Sequence, residues 1–256
     1  MGCAPLEPLP AGTPAFGVFG DIPYSENEIR ELDRVIDEMN AHELAFVVHV
    51  GDIGRSTLAQ ACGDDWLEKR KTQLARIRHR FILLPGDNEW SDCARHGVDP
   101  MARLRKWREA FCATPGEYCE HARWEAGGWV FVALNVPGSN NNLRHSEHGP
   151  RMAAVFGFLD QAARLAEDRQ GLVILLHANP FFYPRVRDWY GELKDRLRAL
   201  AARRPGRVVL IHGDTHIYRD DEPLPGLRRI EVWGSPFVGW LRGSLRPGAL
   251  TVEAAR

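Results

Sequence analysis

The chain has 256 residues, with 33 basic and 34 acidic side chains and a formal net charge of −1. That balance creates no bulk field for nucleic acid or an anionic membrane, so a nuclease would need a local basic rim. No apolar run approaches the roughly 18 residues a membrane span needs, and the first 13 residues lack the basic and apolar regions of a signal peptide.

The length suits one domain over residues 14–256 behind a flexible N-terminal segment, 1–13. Along it, apolar runs of strand length fall first at 15–20 and 44–51. Between these two, Ser25-Glu26-Asn27-Glu28 is a capping box in which Ser25 accepts from the Glu28 amide while Glu28 reaches back. Ile29, Leu32, Val35, Ile36 and Met39 then keep helical spacing. Further strand-like runs lie at 80–85, 129–135, 172–177, 207–212, 229–234 and 249–253. Weaker helical stripes run through 66–77, 101–111 and 152–165, and Val186, Trp189, Leu193, Leu197 and Leu200 form the clearest one. Most of the strand runs are continuously apolar, as sheets covered on both faces require. Strands alternating with helices early and β-rich sequence late predict an α/β fold of sheets flanked by helices.

The polar clusters sit where those runs stop. Five end in a metal-ligating side chain: Phe19-Gly20-Asp21, Val50-Gly51-Asp52, Pro85-Gly86-Asp87-Asn88, Leu176-His177 and His212-Gly213-Asp214-Thr215-His216. Ligands of open α/β sheets bind beyond the carboxyl ends of the strands. Carboxylates gathered there repel one another unless a cation supplies charge. Mixed Asp, Asn and His donors suit Mn, Zn or Fe. One Gly-Asp is an ordinary turn; four, each directly after an apolar run, predict a site.

In order and spacing, Asp21, Gly51-Asp52, Gly86-Asp87-Asn88-Glu89, His177 and Gly213-Asp214-Thr215-His216 resemble the calcineurin-like metallophosphoesterase superfamily. Its blocks are D-x-H, G-D, G-N-H-[DE], a lone His and G-H-x-H. The resemblance implies a four-layered α/β/β/α sandwich of mixed sheets flanked by helices. It also implies two divalent metal ions (Mn, Mg, Fe or Zn) that hydrolyse a phosphate monoester or diester through a metal-activated hydroxide, the substrate being small. Asp21 and His216 would serve the first metal, Asp52 would bridge, and His177 would serve the second, with Asp87 and Asp214 beside it.

The sequence departs from the family at three points. Pro23 replaces the histidine of D-x-H, leaving Tyr24 as a phenolate ligand or a structural residue. In the third block Asp87 stands at the metal-binding asparagine and Asn88 at the proton-donating histidine; a one-residue shift would make Asn88 the ligand. Asp214 replaces the first histidine of G-H-x-H. The added carboxylates favour harder metals. The missing histidines equally fit a catalytically degenerate protein that binds metal or a phosphorylated ligand.

With Asn88 at the donor position, a proton must come from elsewhere: His145 and His148, after the Gly-Ser-Asn-Asn-Asn segment at 138–142, are the candidates. His212 and His49 lie inside apolar strands and read as core residues. Arg55, Arg144 and Arg219 could meet phosphate oxygens or remain surface groups, as could Arg151. Trp90 either walls the pocket or packs under its loop; Phe181, Phe182 and Tyr183 carry the same two readings. Five cysteines without close pairs fit reduced thiols in a cytoplasmic protein. In the fold the resemblance implies, the Cys62 and Cys93 loops lie side by side, so a bridge between them is the alternative and would imply a periplasmic or secreted protein.

Overall fold

Alternation of side chains across each strand builds two apolar faces per sheet, and that decides the layers. The computed structural model describes residues 15–114, 116–182 and 188–255; the 1–13 segment, Tyr183 and Val186 lie outside them. In chain order the elements are β1 (Ala15–Phe19), α1 (Glu26–Asn40), β2 (Val47–His49), α2 (Asp64–Leu74), β3 (Phe81–Leu83), α3 (Pro100–Phe111), β4 (Ala122–Ala126) and β5 (Trp129–Ala133). There follow α4 (His148–Ala166), β6 (Gly171–Leu175), α5 (Gly191–Arg203), β7 (Val208–His212), β8 (Arg219–Leu224), β9 (Leu227–Glu231), β10 (Leu241–Arg246) and β11 (Ala249–Ala254).

One sheet has the order β11-β10-β1-β2-β3 and the other β4-β5-β6-β7-β9-β8. Strands β1, β2 and β3 are parallel, as are β5, β6, β7 and β9; β10 lies antiparallel to β1. Between the sheets, Phe16, Val18, Phe46 and Val48 meet Phe131, Val173, Leu175 and Ile211. Phe46 packs edge-on to Phe131 at 4.9 Å and to Trp124 at 5.2 Å. Outside the first sheet, Leu32, Val35 and Ile36 of α1, Leu67 of α2 and Trp107 of α3 cover Phe19, Val47 and Leu83. Outside the second, Val155 and Leu159 of α4 and Leu193 and Leu197 of α5 cover Val130, Val132, Ile174 and Leu210. Three cores separate four layers, α/β/β/α, and strands buried on both faces explain the continuous apolar runs.

Three strands carry no such run. β8 reads Arg-Asp-Asp-Glu-Pro-Leu and is an edge strand, where charge blocks unwanted pairing. Its Asp221 instead pairs across the ladder with Arg229. β4 is the opposite edge, and β10 alternates apolar and polar residues beside the β11 edge. The capping box also differs from expectation. Ser25 Oγ accepts from the Glu28 amide at 3.3 Å, but Glu28 turns to the Tyr24 amide (2.6 Å) and the Ser235 hydroxyl (2.7 Å).

The reduced-thiol reading gives way to two bridges. Cys62–Cys93 joins the 3-10 turns Ala59–Cys62 and Ser91–His96, and Cys112–Cys119 closes a short loop after α3. Among the described residues, no helix is long and apolar enough to cross a membrane.

Candidate metal centre

The parallel strands of both sheets point their carboxyl ends at one pocket. Asp21 follows β1, Asp52 follows β2, Asp87 follows β3, His177 follows β6, and Asp214 and His216 follow β7. Asp21, Asp52, Asp214 and His216 have φ of 56°, 62°, 79° and 60°. Asp and His enter this left-handed region more readily than most residues, yet at an energetic cost that concentrates at functional sites. Backbone contacts are equally tight. Gly51 has φ of 110°, and a Cβ at Gly86 would sit 2.0 Å from Asp52 Oδ1. Only glycine permits those two approaches.

His177 lies at the centre, fully buried. Its Nδ1 is 3.0 Å from the Val50 carbonyl, which can only accept, so Nδ1 carries the hydrogen and Nε2 faces the pocket. That Nε2 lies 2.9 Å from Asp87 Oδ1, 3.4 Å from Asp52 Oδ1 and 4.0 Å from Asp214 Oδ1. His216 repeats the arrangement: Nδ1 is 2.8 Å from the Ser235 carbonyl, leaving Nε2 3.7 Å from Asp21 Oδ1. Such a carbonyl behind each ring is what orients a metal-binding imidazole. Tyr24 donates to Asp52 Oδ2 at 2.6 Å, accepts from Asn88 Nδ2 at 2.8 Å, and lies edge-on to the His216 ring.

Two sets, Asp21–Asp52–His177 and Asp87–His177–Asp214, each bring three ligand atoms within 4.8 Å of one another. His177 has one lone pair to offer, so they describe a continuous pocket with a shared centre. Burial raises the Asp21 and Asp52 carboxyls well above the ordinary carboxylate range, against the pull of His177. Burial and the charge of Asp87 raise Asp214 to about 7. Burial also opposes a charge on His177, but Asp52, the Asp87 hydrogen bond and Asp21 outweigh it and raise the imidazole well above its ordinary value, a pull on positive charge that a cation at Nε2 would answer in place of a proton. Asp87 itself is pushed up by burial yet ends below its usual range, through His177 and a Ser139 hydroxyl. The pocket is therefore short of positive charge. Asp21 Oδ2, buried and without a hydrogen-bond partner among the described residues, faces the same need. Donor chemistry, orientation and this orphaned oxygen all fit a divalent cation.

The supporting contacts were only partly visible in sequence. Glu89 accepts from the Gly86, Ile53 and Asp52 amides (2.6, 2.5 and 3.1 Å), locking the β2 and β3 loops together. Its one sequence signal is the acidic residue closing the third block. Asn179 donates its amide to Asp214 Oδ2 (2.9 Å) and its side chain to Thr215 and Glu231. Nothing in the sequence marked it. Ser139–Asn142 form a left-handed turn with φ of 43°, 66°, 57° and 49°. Three asparagines suit it because asparagine tolerates that region best after glycine. A Cβ on the preceding Gly138 would stand 2.4 Å from Asp214 Oδ1, so the turn backs directly onto the pocket.

The structure brings Asp21, Tyr24, Asp52, Asp87, Asn88, His177, Asp214 and His216 together. Between the two registers of the third block, the Asp87 carboxylate faces His177, while the Asn88 side chain turns to Tyr24 and its amide to Asp52 Oδ1 (3.0 Å). The proposed donors sit elsewhere. His145 accepts from the Glu147 amide, and His148 begins α4 with Nε2 3.3 Å from Asn141 Nδ2. Both are tied to the asparagine turn, and burial lowers His148, which disfavours its protonated form. Arg219 is not a free phosphate fork: its Nη1 is engaged by the buried Glu231, with Thr215 at 3.1 Å. Arg55 and Arg144 are exposed. Arg151 is buried, not solvated, and pins the turn through Asn141. Trp90 is buried under its loop, and Phe181 packs on the outer core, so neither walls the pocket. His49 is a satisfied core histidine: its Nε2 is 3.1 Å from the Ile22 carbonyl, and its Nδ1 accepts from the Gly51 amide.

No protein-family model matches the sequence, and no curated protein does. Solved structures do. A dimetal phosphatase from Danio rerio superposes with a TM-score of 0.66 at 14% identity, covering 94% of this chain and 96% of its own. The fold is that of the calcineurin-like metallophosphoesterases. Two more structures share it. PhoD gives a TM-score of 0.59 at 11% identity over 96% of this chain and 70% of its own. GAP50, described as the anchor in the inner membrane complex of Plasmodium, gives 0.62 at 11% identity over 94% and 83%.

Proposed function

We propose that this chain is a metal-dependent phosphoesterase acting on a small phosphate monoester or diester. The observation that carries the reading is the buried meeting of Asp21, Asp52, Asp87 and Asp214 around the carbonyl-oriented His177. Those residues, with His216 behind Asp21, would hold one or two divalent ions. Bound there, such ions supply Lewis-acid activation of water and neutralise phosphate charge. The protein's own part is positional. Tyr24 fixes one oxygen of Asp52, and the Asn88 amide fixes the other. Asn88 Nδ2 has a second hydrogen beyond the one given to Tyr24, and it can meet a phosphate oxygen. An amide releases no proton at neutral pH, so the leaving group departs without the acid a histidine would provide. Esters of acidic leaving groups, such as phenols, are then the better substrates.

The second reading is a binding protein without turnover. It is favoured by Asn88 at the donor position, and a fold alone does not decide activity. Two disulfides point to an oxidising compartment, periplasmic or secreted, over the cytoplasm. The deciding experiment measures bound metal by elemental analysis and Mn-dependent hydrolysis of an aryl phosphate and its diester. Turnover lost in Asp52→Asn supports the enzyme; metal binding with no turnover of either ester supports the binder.

A further inference from the structure

Exposed apolar side chains are ordinary when scattered. Here they are not scattered. Of the six large apolar residues most exposed among the described residues, Leu165 alone lies on a helix. Leu58, Leu143, Phe182, Ile217 and Phe237 follow β2, β5, β6, β7 and β9, on the loops at the strand ends that carry the pocket. The two most exposed are neighbours of one candidate ligand. Ile217, 52% exposed, directly follows His216. Phe237, 67% exposed, closes a turn whose amide donates to the Gly234 carbonyl at 3.0 Å. A Cβ on Gly234 would lie 2.4 Å from Asp21 Cβ and 2.7 Å from His216 Cγ. The Ile217 and Phe237 backbones therefore flank the Asp21–His216 side of the pocket, and both side chains are exposed.

We propose that the organic group of the substrate is apolar and lies against Ile217 and Phe237 while its phosphate occupies the pocket. This rests on the phosphoesterase reading for the phosphate end only. Chemistry at the rim agrees: the Arg219 guanidinium, whose Nη1 lies 3.4 Å from the Ile217 carbonyl, is engaged by Glu231 and so offers a polar or anionic leaving group little. A metal pocket binds any phosphate; selection among phosphates needs surface that meets the remainder of the molecule, and an exposed phenylalanine is stabilised by covering it.

The test uses phenyl phosphates with para-methyl, butyl and hexyl groups, whose leaving-group acidity is nearly constant while apolar area grows. KM is expected to fall roughly tenfold from methyl to butyl, a partial burial of three methylenes. The double variant Ile217→Ser/Phe237→Ser should flatten that series, whereas Leu165→Ser should leave it intact. In parallel, binding of 4-butylphenol, which carries no phosphate, is measured by calorimetry on the same variants. Turnover with a KM indifferent to chain length overturns the rim and leaves the phosphoesterase standing. No turnover with any metal, but alkylphenol binding lost in the double variant, supports the rim and removes the phosphoesterase. A chain-length gain that survives the double variant overturns the rim. So does a concentration-dependent dimer that the double variant dissolves without any chain-length gain, since the apolar residues then meet a second copy.

Discussion

The two sheets furnish the pocket by different means. The first sheet's half brings the carboxylates Asp21, Asp52 and Asp87, with Tyr24 and Asn88 beside them, held by backbone amides, the Glu89 clamp and the Cys62–Cys93 bridge. Cys93 Sγ lies 3.3 Å from the Asn88 carbonyl, so that bridge touches the β3 loop itself. The second sheet's half brings imidazole and Asp214, steadied by side chains: Asn179, Thr215, Glu231 and Arg219. The first half gathers the negative charge over the Glu89 clamp; the second backs its loops with a side-chain network, while the Val50 and Ser235 carbonyls orient the two imidazoles. The clamp and the bridge stand where like charges must be kept together against repulsion.

The largest effect should come from the charge-bearing half. Asp52→Asn removes the carboxylate that faces Tyr24, Asn88 and His177, and we expect at least a hundredfold loss of turnover with a matching loss of bound metal, on the order of what a central electrostatic group contributes. Asn88→His returns an acid to the donor position. Hydrolysis of an alkyl phosphate should rise by roughly a hundredfold, with a much smaller gain on an aryl ester, as general-acid catalysis predicts. Equal gains on both would contradict the assignment of position 88. Glu89→Gln leaves three buried amides to a weaker acceptor and should destabilise the protein by about 2–3 kcal/mol in urea melts. Arg219→Gln, in a partly exposed pair of the second half, should cost about 1–2 kcal/mol by the same measurement. If the order of these two is reversed, the contrast between the halves fails.

The bridges allow a finer cut. Replacing Cys62 and Cys93 by serine should lower metal affinity as well as stability, whereas Cys112→Ser/Cys119→Ser should lower stability alone, each by about 2–4 kcal/mol. Titration of Mn affinity beside melting separates the two. The last effect, acid lability, lies outside the pocket and separates from the others by its pH dependence. Burial lowers His121 to about 4, against 6.5 for an exposed imidazole. The unfolded chain therefore takes up this proton first, and stability is lost as pH falls from 6.5 toward 4, by roughly 1.4 kcal/mol per unit of separation. His121→Gln should shallow that slope between pH 7 and 5; an unchanged slope would remove His121 as its cause.

The sandwich was legible because strands buried on both faces write themselves as unbroken apolar runs, and the ligands were legible because each ends one. Edge strand β8 was not, since an edge is kept polar for the same reason it can be overlooked. Glu89, Asn179 and Glu231 act through backbone amides and each other, contacts that depend on which loops meet and leave no local pattern. Arg219 and Arg151 were misread together: arginine at a loop is commonplace, and only burial against Glu231 or Asn141 tells a prop from a surface group. The Cys112–Cys119 bridge escaped notice because five cysteines without a close motif suggest free thiols.

The pairing of Ala15 with Ser244 has a kinetic side. β1, which delivers Asp21, is flanked on one edge by a strand from the far end of the sequence, so the first sheet closes only through very long-range contacts of the slow kind. Until the β10–β11 hairpin arrives, β1 presents an open, apolar edge able to pair with another chain. The carboxylate–histidine pocket should thus be among the last parts of the molecule to mature, and the nascent β1 edge its point of greatest exposure to aggregation.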